Sequence, residues 1–422
     1  MPILPHLPSV PSWIIYFIIF IGFFTSFFYL LVLFRKQKSL DIYNDFILDV
    51  TFLIPAKNME KTLQECVKRV VNQDYEGKIN IIIINDASTD NTPKIAKELI
   101  RKYSSKKRKI ILLNRKKSTG IKASVLNFGL DYIFSKNKVT PLIAHLDADT
   151  FIPKNLLKKC VPYFIDKKTM AVTSWMMPHN TKKFLSKMQK IEYLLTSFYR
   201  LLLGKIESVA IAPAFTIIRA EFFKKAGYYD ENTLTEDFEI ALRIKSYGYN
   251  IVYLDEKITT IVPENFNKLR RERLRWWHGT FQNLVKYNHL ISPKYGFLGT
   301  FFLPINVILG ILILFIAFFI LIYNFIYNSF NFLNDILLGI TPRFEWKINT
   351  FQLSLMLSDV KIILAFFAFI LSFLFFNFAK NKMKEKINII DYLIFIFIYI
   401  WILIIFFVEG VIKYIFKFKT TW

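Results

Sequence analysis

Two cysteines, Cys66 and Cys160, stand in a chain of 422 residues, so one bridge is the most it could form and no disulfide framework or cysteine-rich metal site is available. Thirteen glycines and 15 prolines exclude collagen-like repeats and flexible low-complexity architecture. Acidic residues are short as well: 32 Asp and Glu face 56 Lys and Arg, a net charge of +24. That balance favours anionic partners such as lipid head groups and nucleotide phosphates. Nucleic acid is not expected, because the lysines are scattered and flank apolar spans, where membrane topology accounts for them. Charge of either sign is missing from Met1 to Phe34, from Tyr295 to Asn334, from Ile362 to Ala379 and from Tyr392 to Val408.

What fills the chain instead is apolar: 54% hydrophobic residues, 45 of them Phe, with a mean hydropathy of +0.34. Such a composition excludes global disorder and calls for a bilayer. The stretch from Trp13 to Phe34 is long enough to cross one, since about 20 apolar residues suffice. Positive charge follows it at Arg35, Lys36 and Lys38, the reverse of a cleavable signal peptide, so residues 1–39 read as a signal anchor with its N-terminus outside. Residues 40–290 lose the continuous apolar character and alternate short β-rich runs with amphipathic stretches, the pattern of a cytoplasmic α/β domain. Residues 291–422 then supply about three more helices, giving a multi-pass protein of the cell membrane. Four spans put Lys380, Lys382, Lys384 and Lys386 inside, as expected, but leave Lys413, Lys417 and Lys419 outside. A second passage within 295–334, broken near Pro304 or Tyr323–Asn324, would repair this.

Polar residues in the 40–290 domain gather where apolar strands end. "TFLIPAKN" (Thr51 to Asn58) reads as a strand ending in a proline turn, followed by a helix over Thr62 to Asn72. "INIIIINDASTDNT" (Ile79 to Thr92) is an unbroken isoleucine run, as in a strand covered on both faces, and ends at Asp86 and Ser88. In open α/β sheets ligands bind at that edge; Asp90 and Thr92 read instead as turn and cap. "PLIAHLDADT" repeats the design and stops at Asp147-Ala148-Asp149. Two carboxylates so placed can hold a hard divalent cation that neutralises a diphosphate, while His145 reads as a strand-packing residue. "TLTED" puts Thr235, Glu236 and Asp237 at the start of an amphipathic helix. They are either an ordinary N-cap with acids at the positive helix end or a carboxylate poised as general base. "RRERLRWWHGT" (Arg270 to Thr280) combines four arginines with adjacent Trp276 and Trp277, suited to clamping a diphosphate and stacking on a sugar, or to lying on a bilayer. Phe184 to Lys205 and Thr280 to Leu290 mix cations with apolar residues as interfacial helices do, although the first reads equally as a helix packed within the domain.

The order Asp86, Asp147-Ala148-Asp149, Thr235-Glu236-Asp237, Arg275-Trp276, set between an N-terminal span and a C-terminal membrane block, resembles the family 2 inverting glycosyltransferases of the membrane-embedded polysaccharide-synthase type. That group includes the cellulose, chitin, hyaluronan and poly-N-acetylglucosamine synthases. "KASVLNFGL" (Lys122 to Leu130) and "GYYDENTLTED" are similar to further segments of the family. The resemblance implies an α/β GT-A domain joined to a transmembrane helical region. It implies a nucleoside-diphosphate sugar as donor, a UDP-sugar, and Mg²⁺ or Mn²⁺ as cofactor. Asp86 would then bind the nucleoside, Lys122 and Arg275 the diphosphate, Asp147 the donor and the metal, and Asp149 the metal. Asp237 would be the base, with Glu236 and Trp276 on the acceptor side. The acceptor would be a glycan or a lipid-linked sugar, the other partners membrane lipids and a membrane subunit or second copy. A single transfer to a polyprenyl phosphate or glycolipid, or a silent nucleotide-sugar-binding scaffold, are the competing readings. Glu272 departs from the family's glutamine three residues before the arginine, and Pro213 and Ala214 replace small Gly or Cys residues, which implies a less open acceptor groove.

Overall fold

The computed structural model describes residues 11–35, 46–339 and 360–417; Lys36, Lys38 and Lys419, which carry part of the orientation argument, lie outside them. In chain order the helices and strands are α1 (Ser12–Phe34), β1 (Val50–Ala56), α2 (Leu63–Val71), β2 (Ile79–Asp86), α3 (Thr92–Tyr103), β3 (Arg108–Arg115), α4 (Lys122–Ser135), β4 (Leu142–Leu146), β5 (Thr150–Phe151), α5 (Leu156–Cys160), β6 (Thr169–Pro178), α6 (Phe184–Lys205), β7 (Phe215–Arg219), α7 (Ala220–Ala226), α8 (Glu236–Ser246), β8 (Asn250–Thr260), α9 (Phe266–Lys286), α10 (Gly310–Leu337), α11 (Val360–Lys382), α12 (Ile389–Ile394) and α13 (Ile400–Ile415). They form two compact units: Met1–Arg35 with Pro304–Lys386, and Lys36–Leu303 with Ile387–Trp422.

The second unit is built on one mixed sheet in the order β3-β2-β1-β4-β7-β6-β8-β5. Strands β1 to β4 run parallel, joined by helical crossovers as parallel pairing requires. The isoleucine run of β2 is central to this half, paired on one side with β1 and on the other with β3, and Ile81 to Ile84 are buried. Strand β7 is antiparallel to both β4 and β6, so the sheet changes direction beside β4. The strand read as ending in a proline turn instead runs through Pro55, which pairs with Ile84. Pairing of β1 with β4 stops at Leu53, so the missing N–H of Pro55 interrupts no ladder on that side.

Among the described residues, four helices are long and apolar enough to cross a membrane: Ser12–Phe34, Leu298–Leu337, Ile362–Lys382 and Ile389–Ile415. The second is one continuous helical run, π-type over Leu298–Leu309 and α-type beyond, so neither Pro304 nor Tyr323–Asn324 divides it. In the first unit α1 packs along α11. In the second unit α13 packs along α9, and α12 meets α6.

Candidate active site

The strand ends deliver the acids. Asp147 follows the last residue of β4, its backbone N–H donating to the Ala214 carbonyl at 2.9 Å, and the N–H of Thr150 returns to the Asp147 carbonyl at 2.9 Å. This tight turn presents Asp147 and Asp149 on the same cavity wall. Ala214 holds the other side of the turn in the left-handed region, at φ 50°, a conformation that costs a residue with a Cβ free energy and persists where the surroundings enforce it. Lys122 opens α4, Glu236 and Asp237 occupy the first turn of α8, and α9 carries Arg275 and Trp276.

These seven side chains line one cavity of about 330 Å³, together with Glu192, Tyr193, Thr196 and Arg200 of α6, Ile211, Pro213, Ala214 and Glu272. Asp86 is not among its lining residues. It is buried beside the end of β2, where Arg115 donates to one carboxylate oxygen at 2.6 Å and the Ser118 hydroxyl to the other at 2.5 Å. Lys57 donates to that same hydroxyl at 2.9 Å, and Arg115 also reaches Ser124, in the first turn of α4, at 3.1 Å. Asp86 therefore belongs to a network that braces the loop ahead of Lys122. Asp90 makes the turn expected, accepting from the N–H of Thr92 at 3.0 Å and of Glu60 at 3.1 Å, whereas the Thr92 hydroxyl accepts from the N–H of Met59 at 2.7 Å instead of capping the helix.

The cavity's charges are paired in a chain. The Lys122 ammonium lies 2.6 Å from Asp147 and 2.8 Å from Glu236. Burial alone would lower its pKa, but the two carboxylates outweigh this and raise it, so it stays charged. Burial works against the Glu236 charge too, yet Lys122 and then Arg275 hold its pKa below the ordinary carboxylate value. Asp237 goes the other way: burial first, and the neighbouring Glu236 charge second, raise it. Asp149 is pushed up to about 7, by burial and then by Asp147. His145 is the packing residue expected, buried with its Nδ1 3.0 Å from the Tyr229 hydroxyl. Burial and the charge of Lys122 lower it to about 4.

Thr235 precedes α8 but does not cap it with its side chain. Its hydroxyl instead accepts from Asn283 of α9 at 3.0 Å. A Cβ on Gly279 would lie 2.3 Å from that hydroxyl oxygen, so glycine is what lets α9 approach the α8 start so closely. Arg275 donates to the Leu234 carbonyl at 3.2 Å, and the N–H of Leu234 donates to Gln282 at 3.1 Å. The loop before Glu236 is also tied to α4, since Asn127 exchanges hydrogen bonds of 2.9 Å with the backbone of Tyr229 in both directions.

Sequence reasoning missed the contribution of α6. Its amphipathic pattern fits the bilayer surface and the domain interior alike; the helix buries Met188, Ile191, Leu194 and Phe198 while packing on β6 and β8, but the pattern does not mark its place in the cavity wall. Glu192 accepts from Arg273 at 2.9 Å and from the Tyr399 hydroxyl at 3.1 Å. Arg273 also donates to Glu272 at 2.7 Å and stacks over the Trp276 ring, 4.0 Å from its centroid. The unusual acid at 272 is thus neutralised by its own neighbour. A lone glutamate in a Lys-rich apolar helix carries no pattern that would have marked Glu192.

The donor set fits a divalent metal carried in by a ligand. Among the described residues no group of three His, Cys, Asp or Glu side chains is arranged to hold an ion. Asp147 and Asp149 supply two hard oxygen donors, and Mg²⁺ or Mn²⁺ commonly takes one or two protein carboxylates and completes its shell with phosphate and water.

The family model described as glycosyl transferase family group 2 matches residues 142–408, and that described as glycosyl transferase family 2 matches residues 51–227. The chain is 30% identical over 264 residues to the poly-β-1,6-N-acetyl-D-glucosamine synthase of Staphylococcus aureus (strain COL), covering 60% of each protein. It is 28% identical over 248 residues to the enzyme of that name from Staphylococcus epidermidis, covering 56% of each. The chain thus spans about 60% of the length of the first of these curated relatives and 56% of the second. Among solved structures, the mannosyltransferase PcManGT from Pyrobaculum calidifontis, in complex with GDP-Man and Mn²⁺, matches with a TM-score of 0.61 at 16% identity. That match covers 87% of this chain and 96% of the mannosyltransferase. It establishes a shared fold, the GT-A arrangement with its mixed sheet.

Proposed function

The chain belongs to glycosyl transferase family group 2, and on that premise we propose that it is a membrane-bound inverting glycosyltransferase. It moves a sugar from a UDP-sugar to a hydroxyl of a glycan acceptor and leaves a β-linkage. The observation that carries this reading is the convergence of Lys122, Asp147, Asp149, Glu236, Asp237, Arg275 and Trp276 on one cavity. The chain's orientation follows the charge after α1: N-terminus outside, catalytic unit at the cytoplasmic face.

Asp237 takes the proton of the acceptor hydroxyl. Its raised pKa makes its carboxylate a stronger base than one in water. The acceptor oxygen then attacks the anomeric carbon in line, which inverts the α-linked donor. Lys122 and Arg275 face the diphosphate as it leaves, and fixed cations aimed at developing charge are among the most effective devices a site can hold. Glu236 keeps Lys122 charged and oriented from the other side. A divalent ion on Asp147 and Asp149 would neutralise the diphosphate when bound. Trp276 offers an aromatic wall to the acceptor sugar, held in place by Arg273.

The relatives' product makes UDP-N-acetylglucosamine the first donor to try. Detergent-purified full-length protein is incubated with a panel of UDP-sugars and Mn²⁺, the released UDP is measured and the product is sized. Release of UDP with growth of an oligosaccharide is expected. A product of a single sugar on lipid would replace the glycan acceptor with a lipid one, and no UDP release with any donor would leave a binding scaffold.

A further inference from the structure

The last apolar stretch, Ile389–Ile415, carries an acid that the chemistry above does not use. Glu409 sits inside it on α13 and accepts both Nε and Nη2 of Arg270, the first at 2.6 Å. Lys413, one turn on, lies 3.0 Å from the same carboxylate. An ionised group on an apolar helix is retained against a desolvation penalty and points to a role.

Arg270 shares α9 with the catalytic-site residues, but on the other side. Phe266, Arg270, Trp277 and Phe281 recur at helical spacing along one stripe of α9, and α13 covers that stripe. Phe266 meets Phe406 at 5.2 Å between ring centroids, Trp277 meets Phe407 at 4.7 Å, and Phe281 meets Tyr414 at 5.3 Å. Gly410 permits this approach, since a Cβ there would lie 2.9 Å from Cβ of Trp277. Glu272, Arg275 and Trp276, which line the cavity, fall on the opposite stripe. A rotation of α9 about its axis therefore cannot occur on one stripe without moving the other.

We propose that Glu409 is a positioning residue: its two-point grip on Arg270 fixes the rotation of α9 and so the aim of Arg275 and Trp276 into the cavity. The inference rests on the glycosyltransferase reading for its kinetic readout. A ring contact alone tolerates small rotations, whereas a bidentate carboxylate–guanidinium pair fixes direction as well as distance. Misplacement of a reacting group by about 1 Å can lower a rate on the order of a hundredfold.

The test is a double-mutant cycle in the full-length protein with Glu409→Gln, Arg270→Met and both together, and with Arg270→Lys as the conservative variant. Each single variant is expected to lower kcat by roughly tenfold, consistent with a partial loss of alignment, while the donor KM stays within about twofold, because Lys122, Asp147 and Asp149 still hold the ground-state donor and Arg275 acts mainly on the charge that develops as the diphosphate leaves. The double variant should be no worse than the worse single, as for two halves of one device, and Arg270→Lys should recover part of kcat. Hydrogen exchange over residues 266–286 supplies a readout that needs no sugar transfer: protection should fall in Glu409→Gln while UDP–Mn²⁺ binding persists. Unchanged kcat, losses that simply multiply in the double variant, or unchanged exchange overturns the proposal. If the wild-type protein transfers no sugar but the exchange result holds, the enzymatic reading fails and the Glu409–Arg270 grip on α9 stands.

Discussion

Replacing Lys122 by Met tests the site at its electrostatic centre. The ammonium lies 2.6 Å from Asp147 and 2.8 Å from Glu236, and the Lys122 and Glu236 side chains are only 11% and 4% exposed, so solvent screens the pairs little. Removing one partner of a buried ion pair destabilises by about 3–5 kcal/mol, because the remaining charge is left uncompensated. For a unit of this size each kcal/mol moves Tm by roughly 2–4 °C, so thermal unfolding of the detergent-solubilised variant should begin about 6–20 °C lower at neutral pH. A cation supplied from outside should partly repair the loss: Mn²⁺ at about a hundred times its Kd returns about 2.7 kcal/mol, and at one fixed Mn²⁺ concentration the variant, which binds the ion more tightly without the Lys122 charge beside Asp147, should gain more than the wild type does. Acid should close the gap. In the wild type Glu236 is held below its ordinary value despite its burial, so its contribution is present at neutral pH and lost as pH falls through that depressed value. Without Lys122 the depression is lost, Glu236 accepts a proton more readily, and the two proteins should converge in Tm as pH drops through the carboxylate range. A neutral-pH Tm within about 2 °C of wild type, less than one kcal/mol on this scale, or a gap that widens in acid, would refute the reasoning.

Asp237→Asn should lower the rate of glycosyl transfer by about 10²–10⁴, the usual worth of a general base, while UDP–Mn²⁺ affinity measured by calorimetry stays the same. Because Asp149 is pushed up to about 7 and a metal needs its ionised form, Mn²⁺ affinity should weaken by about tenfold per pH unit below that value and level off above it. A flat Mn²⁺ titration series from acid to neutral pH would contradict this. Gly279→Ala should press a methyl group on the Thr235 hydroxyl and destabilise by about 1–3 kcal/mol, as overpacking does, with a lower kcat, read by thermal unfolding and UDP release. Asp86→Ala should release Arg115 and Ser118, weakening UDP binding while leaving the Mn²⁺ dependence intact.

The strands and their polar ends were legible because each answers to a local rule. The isoleucines of β2 need cover on both faces, and the chain has acids where β2 and β4 stop. Lys122 was marked through the family resemblance, but its pairing with Glu236 was not legible, nor was the role of Asn127 in the same segment, which holds the loop that leads to Glu236. Pro55 misled because proline in a run usually signals a turn, whereas here the neighbouring pairing had already ended. Thr235 looked like a cap from its position alone, but a residue of α9 claims its hydroxyl. Glu192 and Glu409 each had a sufficient local explanation, as surface charge on a basic helix and as the charged limit of an apolar run. Their partners Arg273 and Arg270 lie 81 and 139 residues away, a separation over which no periodicity carries information.

The packing of α13 along α9 also sets an order of events during synthesis. Ribosomes release the aromatic stripe Phe266, Trp277 and Phe281 more than a hundred residues before Phe406, Phe407 and Tyr414 exist to cover it. Until α13 emerges, the nascent chain shows a greasy flank to lipid or chaperone, and a premature stop after residue 387 would leave it so permanently. Synthesis past Tyr414 is what closes the back of α9.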